Sequence, residues 1–150
     1  MEKIEEQRKI FWSLFENILK EKGEPFKISY IHKITNEVTS YAAVNRKSSF
    51  NANAIDLNFS LRDRKFRVDL YITKATLIRK IMDNKDDINS MISLPLDWED
   101  GKMVLRPSVY FDFNPEDIND YKNVIEKSLP TIIEFIEVAK KYDKQEFLDF

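Results

Sequence analysis

Between residues 55 and 72, apolar and polar side chains alternate in two uninterrupted runs. Ile55, Leu57, Phe59 and Leu61 are interleaved with Asp56, Asn58 and Ser60, and Phe66, Val68, Leu70 and Ile72 with Arg67, Asp69 and Tyr71. A period of two belongs to a strand with one buried face. The two runs therefore predict a β-hairpin, with Arg62-Asp63-Arg64-Lys65 as its connection. That loop pairs Leu61 with Phe66, Phe59 with Val68, Leu57 with Leu70 and Ile55 with Ile72, with all their side chains on one face. A slip by one residue would turn one set outward, so the pattern constrains the pairing.

Elsewhere the period is helical. Ile4, Gln7, Phe11, Leu14, Phe15, Ile18 and Leu19 share one face of a helix predicted over 3–22, with Gly23 as its stop and Pro25 beyond it. Trp12 lies off the centre of that stripe, at the edge of the helix. Leu77, Ile78, Ile81 and Met82, followed by Ile88, Met91 and Ile92, predict a second helix, broken or kinked near residue 84. A third helix is predicted from Asn114 as N-cap and Pro115 as first helical residue, burying Ile118, Tyr121, Ile125, Leu129, Ile132, Ile133 and Ile136. Pro130 implies either a kink or a restart capped by Ser128. Val38–Val44 has strand composition, and Phe26 to Ile34 suits a short strand or a turn of helix. A second hairpin is predicted from Leu96-Asp97-Trp98, through the turn Glu99-Asp100-Gly101-Lys102, into Met103–Phe111. Pro107, without an N–H, places its strand at an edge or at a bulge. The fold expected is α+β, an antiparallel sheet of about five strands packed against N-terminal, middle and long C-terminal helices.

Composition narrows the chemistry. The 150 residues, 43% hydrophobic and 13% aromatic, suit one domain spanning 1–150 with a substantial core. There is no cysteine, so disulfides, thiol nucleophiles and thiolate metal sites are excluded. His32 is the single histidine, and Gly23 and Gly101 are the only glycines, too few for a glycine-rich phosphate loop. No cofactor and no metal site is expected. The charged N-terminus does not read as an export signal, and no run reaches the about 18 apolar residues of a membrane span. A cytoplasmic location without a membrane partner is the expectation. The net charge of −2 conceals an asymmetry: residues 45–80 carry nine basic and three acidic side chains, residues 81–150 eight basic and sixteen acidic.

Gln7-x-x-x-Phe11-Trp12, the strand Phe66-Arg67-Val68-Asp69-Leu70-Tyr71-Ile72 with the helix after it, and Leu96-Asp97-Trp98 together resemble a prokaryotic domain-of-unknown-function family. The resemblance covers roughly residues 7–140. Members of that family often follow a restriction-endonuclease-like domain in longer chains. This implies an accessory role near DNA or in defence systems, and it assigns no catalytic residues. The present chain is expected to stand alone, its length leaving no room for a nuclease domain.

Two surfaces are candidates for function. Arg46, Lys47, Arg62, Arg64, Lys65 and Arg67 form a basic set suited to phosphates, with Phe50 and Tyr71 as stacking partners. The same charges at a hairpin tip also serve simply to protect a sheet from edge pairing. Asp56, Asn58, Asp69 and Tyr71, joined by Arg67, share the polar face of the first hairpin. They form either a site or a solvated face of cross-strand pairs. Asp100-Gly101-Lys102 matches the short acid-x-Lys element of metal-dependent nucleases, with Asp69 or Asp56 as the upstream acid, but reads equally as a hairpin tip. The leading expectation is a non-enzymatic binding module contacting protein or nucleic acid. A nuclease-like hydrolase and a homo-oligomeric assembly protein, joined through its helices or an edge strand at Pro107, are the alternatives.

Overall fold

A computed structural model describes residues 2–32, 35–45, 54–100 and 103–147. In chain order they form helix α1 (Glu2–Lys22), strands β1 (Ile28–Ile31), β2 (Val38–Val44), β3 (Ala54–Ser60) and β4 (Lys65–Tyr71), helices α2 (Ala75–Asp83) and α3 (Lys85–Met91), strands β5 (Asp97–Asp100) and β6 (Leu105–Asp112), and helix α4 (Ile118–Phe147). The fold is α+β. Its antiparallel sheet has six strands in the order β1-β2-β3-β4-β6-β5, one more than the pattern suggested, because Ile28–Ile31 forms a strand beside β2. The connection through α2 and α3 carries the chain past β6, so β6 returns between β4 and β5.

The first hairpin forms with its apolar set inward, but its register differs by two residues from the expected one. Ser60 pairs with Lys65, Phe59 with Phe66, Leu57 with Val68 and Ile55 with Leu70. The turn is Leu61–Arg64. The Ser60 hydroxyl accepts a hydrogen bond from the Asp63 N–H at 3.1 Å, and Arg64 takes the left-handed conformation at φ 57°. A shift of two preserves the side-chain faces, which is why alternation could not detect it.

Pro107 is neither on an edge strand nor at a bulge. Asp69 pairs with Ser108 and Ile72 with Leu105 in one unbroken register, so no residue is inserted. Ile72 and Leu105 exchange both backbone hydrogen bonds, at 3.0 and 2.9 Å. Bonded pairs alternate along an antiparallel ladder, which puts Pro107 opposite Leu70 at a bonded position. The missing N–H interrupts the regular ladder there, and the pairs on either side hold the strand in place.

α1 ends as expected. Gly23 has φ +62°, its N–H bonds to Lys20 O at 3.2 Å, and the Glu24 N–H bonds to Leu19 O at 3.0 Å. This paired closure satisfies two terminal carbonyls and needs a left-handed residue. α4 begins three residues later than its acid-rich start suggested. Asn114 Oδ1 accepts from the Glu116 N–H at 3.0 Å within a turn, whereas Asp117 Oδ1 accepts from the Asn119 N–H at 2.9 Å and is the actual N-cap. Helix α4 runs through Pro130, which is exposed. Ile4 and Ile118, assigned to buried stripes, are 43% and 57% exposed and lie at the outer ends of their helices.

The core lies between one face of the sheet and the helices α1 and α4. Phe11 of α1 stacks on Phe59 of β3 at 3.9 Å between ring centroids and reaches Phe66, Phe113 and Tyr121. Trp12 is fully buried and donates from Nε1 to Thr39 O at 2.9 Å, which ties α1 to β2. Trp98 is only partly buried, packing against the core with Nε1 bonded to Asn89 Oδ1.

α3 is clamped to α4 by one carboxylate. Asp87 Oδ2 accepts from Lys141 Nζ at 2.7 Å and from the Tyr142 hydroxyl. The bond from Lys141 and then that from Tyr142 hold the Asp87 carboxyl below its ordinary pKa of 3.8. Burial, reinforced by Asp87, pushes the Tyr142 hydroxyl up to about 12. A group with a depressed folded pKa stabilises above its unfolded value and loses that contribution as pH falls. One with a raised pKa does the reverse. The clamp should therefore weaken below the unfolded aspartate pKa of 3.8, and again as pH rises from 10 to about 12. Asp87→Asn should flatten the fall in Tm on both sides and lower the Tyr142 pKa, read from tyrosinate absorbance. An unchanged tyrosinate titration would show that the clamp does not form.

Candidate open face of the sheet

The second face of the sheet carries the other half of each strand's alternation, and none of the described helices packs on it. Register sets its side chains in rows. One row runs Tyr41, Asn58, Arg67, Tyr110 across β2, β3, β4 and β6. The next runs Ala43, Asp56, Asp69, Ser108, Asp97 across β2, β3, β4, β6 and β5. Toward the turn lie Ser60, Lys65 and Asp112; at the other end lie Tyr71 and Arg106.

All four residues of the expected polar-face set therefore share this surface, but they are not equally available. Asp69 has no exposed surface. Arg67 Nε donates to its Oδ2 at 2.7 Å, and Arg106 Nε stands 4.0 Å from its Oδ1. Arg106 in turn lies over the Tyr71 ring, 5.1 Å from the centroid. Expectation placed Asp69 on the polar face, either in a site or among solvated cross-strand pairs. Instead it is the buried base of a cluster roofed by two guanidinium groups. The cause is β6, which delivers Arg106 from 37 residues away in sequence. Burial opposes the Arg67 charge, but the Asp69 carboxylate, helped by the Tyr110 hydroxyl, outweighs it and holds the guanidinium above its ordinary pKa. Asp56 sits directly opposite Asp69 and is half-buried.

The basic set is divided. Arg46, Lys47 and Phe50 lie outside the described residues. Arg62 extends into solvent with its side chain 93% exposed, 3.5 Å from Asp63. Lys65 Nζ donates to Asp112 Oδ1 at 2.6 Å, and Arg67 belongs to the Asp69 cluster. The tip is thus a mixture of cations and acids. Its cations come closest to the aromatic row through Lys65 and Arg67.

Three members of this face escaped sequence reasoning: Tyr41, Arg106 and Tyr110. A signal existed for two of them. Arg106, Ser108 and Tyr110 alternate with Leu105, Pro107, Val109 and Phe111, which is the same period-two pattern as in the first hairpin. Tyr41 and Tyr110 are 44% and 37% exposed, and both stand on the central row.

The nuclease-type tripeptide falls largely outside the described residues. Gly101 and Lys102 lie outside the described residues, and Asp69 is sealed beneath Arg67 and Arg106. Among the described residues no three His, Asp or Glu side chains are grouped to hold a metal ion. His32 belongs to the β1–β2 turn, where its Nδ1 accepts from the Thr35 N–H at 3.3 Å. No described helix is long and apolar enough to cross a membrane. In comparison with known proteins, no family model, curated protein or solved structure matches the chain.

Proposed function

We propose that the protein is a non-catalytic binding module that takes single-stranded nucleic acid on the open face of its sheet. The observation that carries this reading is the row Tyr41, Asn58, Arg67, Tyr110, two exposed rings flanking a cation on a face free of described helices. Aromatic side chains on an open sheet stack unpaired bases, and neighbouring cations follow the phosphates. Tyr41 and Tyr110 stand three strands apart, about 14 Å, which leaves room for a base on each ring. Part of the acidic excess lies away from this face, since Asp86, Asp87, Glu126, Glu134 and Glu137 belong to α3 and α4 in the helical layer, while the face itself carries Asp56, Asp69, Asp97 and Asp112 beside Lys65, Arg67 and Arg106.

The test is fluorescence anisotropy with a labelled single-stranded oligonucleotide. Tyr41→Ala and Tyr110→Ala should each weaken binding by about 1–3 kcal/mol, the value of one stacked base. Replacing Arg62, Arg64 and Lys65 together with alanine should flatten the salt dependence, by about 0.7 in logarithmic slope for each phosphate no longer neutralised. Equal affinity for a duplex of the same sequence, or tyrosine variants that bind like the wild type, would overturn the reading.

A further inference from the structure

At the turn end of the open face, Asn58, Ser60, Asp63, Lys65, Arg67 and Tyr110 line a cavity of about 310 Å³. We infer that this cavity is a subsite for one nucleoside monophosphate unit, its base against Tyr110 and Asn58 and its phosphate on Lys65. The inference rests on the open-face reading above and names the place where one residue of the strand is seated.

Size is the first argument. Small-ligand pockets start at about 300 Å³, so the cavity suits a single nucleotide. The second is an acceptor. Asn58 Oδ1 is buried and has no hydrogen-bond partner among the described residues. A buried acceptor without a donor is unfavourable, and a bound donor relieves it. A base amino or ring N–H group supplies one. The third is Lys65. Its ion pair is with Asp112, whose side chain is 84% exposed. An exposed pair contributes little, so a phosphate can take over the ammonium group at small cost. The fourth is Asp63 on the same wall, 59% exposed at its side chain, whose negative charge opposes each further phosphate. Fewer phosphate charges meet less of this repulsion, which favours a monophosphate over a diphosphate. Arg67, held by Asp69 and the Tyr110 hydroxyl, positions the ring that the base covers.

The experiment is an amide chemical-shift titration of the whole protein with AMP, with N6,N6-dimethyl-AMP, which lacks a base N–H donor, with ADP, and with inorganic phosphate. AMP should shift residues of the β3–β4 turn and of β6 around Tyr110, and should bind more tightly than the dimethyl compound and than ADP. Asn58→Ala should weaken AMP about three- to tenfold, the effect of one hydrogen bond, and should abolish the preference over dimethyl-AMP. Tyr110→Ala should weaken AMP about fivefold or more. Lys65→Ala should bring AMP down to the affinity of adenosine. Circular dichroism and thermal melts establish that each variant is folded, and Lys65→Ala, at an exposed position, gives an independent arm if Asn58→Ala unfolds. If inorganic phosphate reproduces all the AMP shifts, or dimethyl-AMP binds as tightly as AMP, the subsite is overturned. Oligonucleotide binding that survives Asn58→Ala and Lys65→Ala unchanged would overturn the subsite and leave the open-face reading standing. Failure of both oligonucleotide and AMP to bind removes both.

Discussion

Phe11→Ala is expected to destabilise the fold by about 4 kcal/mol, within the roughly 3–5 kcal/mol range for truncating a buried phenylalanine. Phe11 has no exposed surface. Its ring stacks on Phe59 at 3.9 Å and meets the edges or faces of Trp12, Phe15, Phe66, Phe113 and Tyr121 at centroid distances of 5.0–6.5 Å. These partners come from α1, β3, β4, the loop after β6, and α4. No single element can move in to fill the gap without leaving its other neighbours, so most of the vacated volume stays a cavity. For a domain of this size the loss corresponds to a fall of about 8–16 °C in Tm. Ile4→Ala is the control: at 43% exposure it should change stability by less than about 0.5 kcal/mol. Urea denaturation of the two variants decides the matter. A Phe11→Ala protein within about 1 kcal/mol of wild type would mean that the aromatic cluster does not join the helices to the sheet as described.

Asp69→Asn is expected to cost about 3 kcal/mol. Removing one member of a buried ion pair leaves the other charge uncompensated, typically a loss of about 3–5 kcal/mol. The lower end applies because the Arg67 and Arg106 side chains keep 13% and 28% of their exposure. The pair itself need not be stabilising, because burying its charges carries a desolvation penalty. Asp69→Val combined with Arg67→Met should therefore be less destabilising than the sum of the two single changes. Additive effects in the double-mutant cycle would show that Arg67 and Asp69 are not coupled. The open face also depends on this cluster, since Arg67 is held between Asp69 and Tyr110. Asp69→Asn should accordingly weaken oligonucleotide binding even when assayed well below its lowered Tm.

The two hairpins were unequally legible. In the first, two seven-residue runs of alternation defined both strands and both faces, but Leu61 extends the apolar pattern beyond the strand, so composition cannot say where the turn begins. The Ser60 hydroxyl and the left-handed Arg64 decide it. In the second, the meaning of Pro107 depends on which strand lies opposite. A missing N–H suggests an edge, yet here the pairs Asp69–Ser108 and Ile72–Leu105 bridge the gap from both sides. The candidate site divides in the same way. That Asp56, Asn58, Asp69 and Tyr71 share a face follows from a period of two. Which of them meets water does not, because it depends on β6.

What the chain determined by itself was local and periodic: an α+β fold, the stop of α1 at Gly23, the break near Asn84 between α2 and α3, and the sidedness of the first hairpin's strands. These follow from backbone geometry acting over a few neighbouring residues. What the tertiary structure alone decided was long-range: a sixth strand, the placement of β6 beside β4, and with it the burial of Asp69 under Arg67 and Arg106 and the arrival of Tyr110 beside Arg67. Those contacts join residues that are near in space and far apart in sequence. Their partners are chosen by how strands and helices pack together to bury the apolar face, and no short window of the chain contains that information.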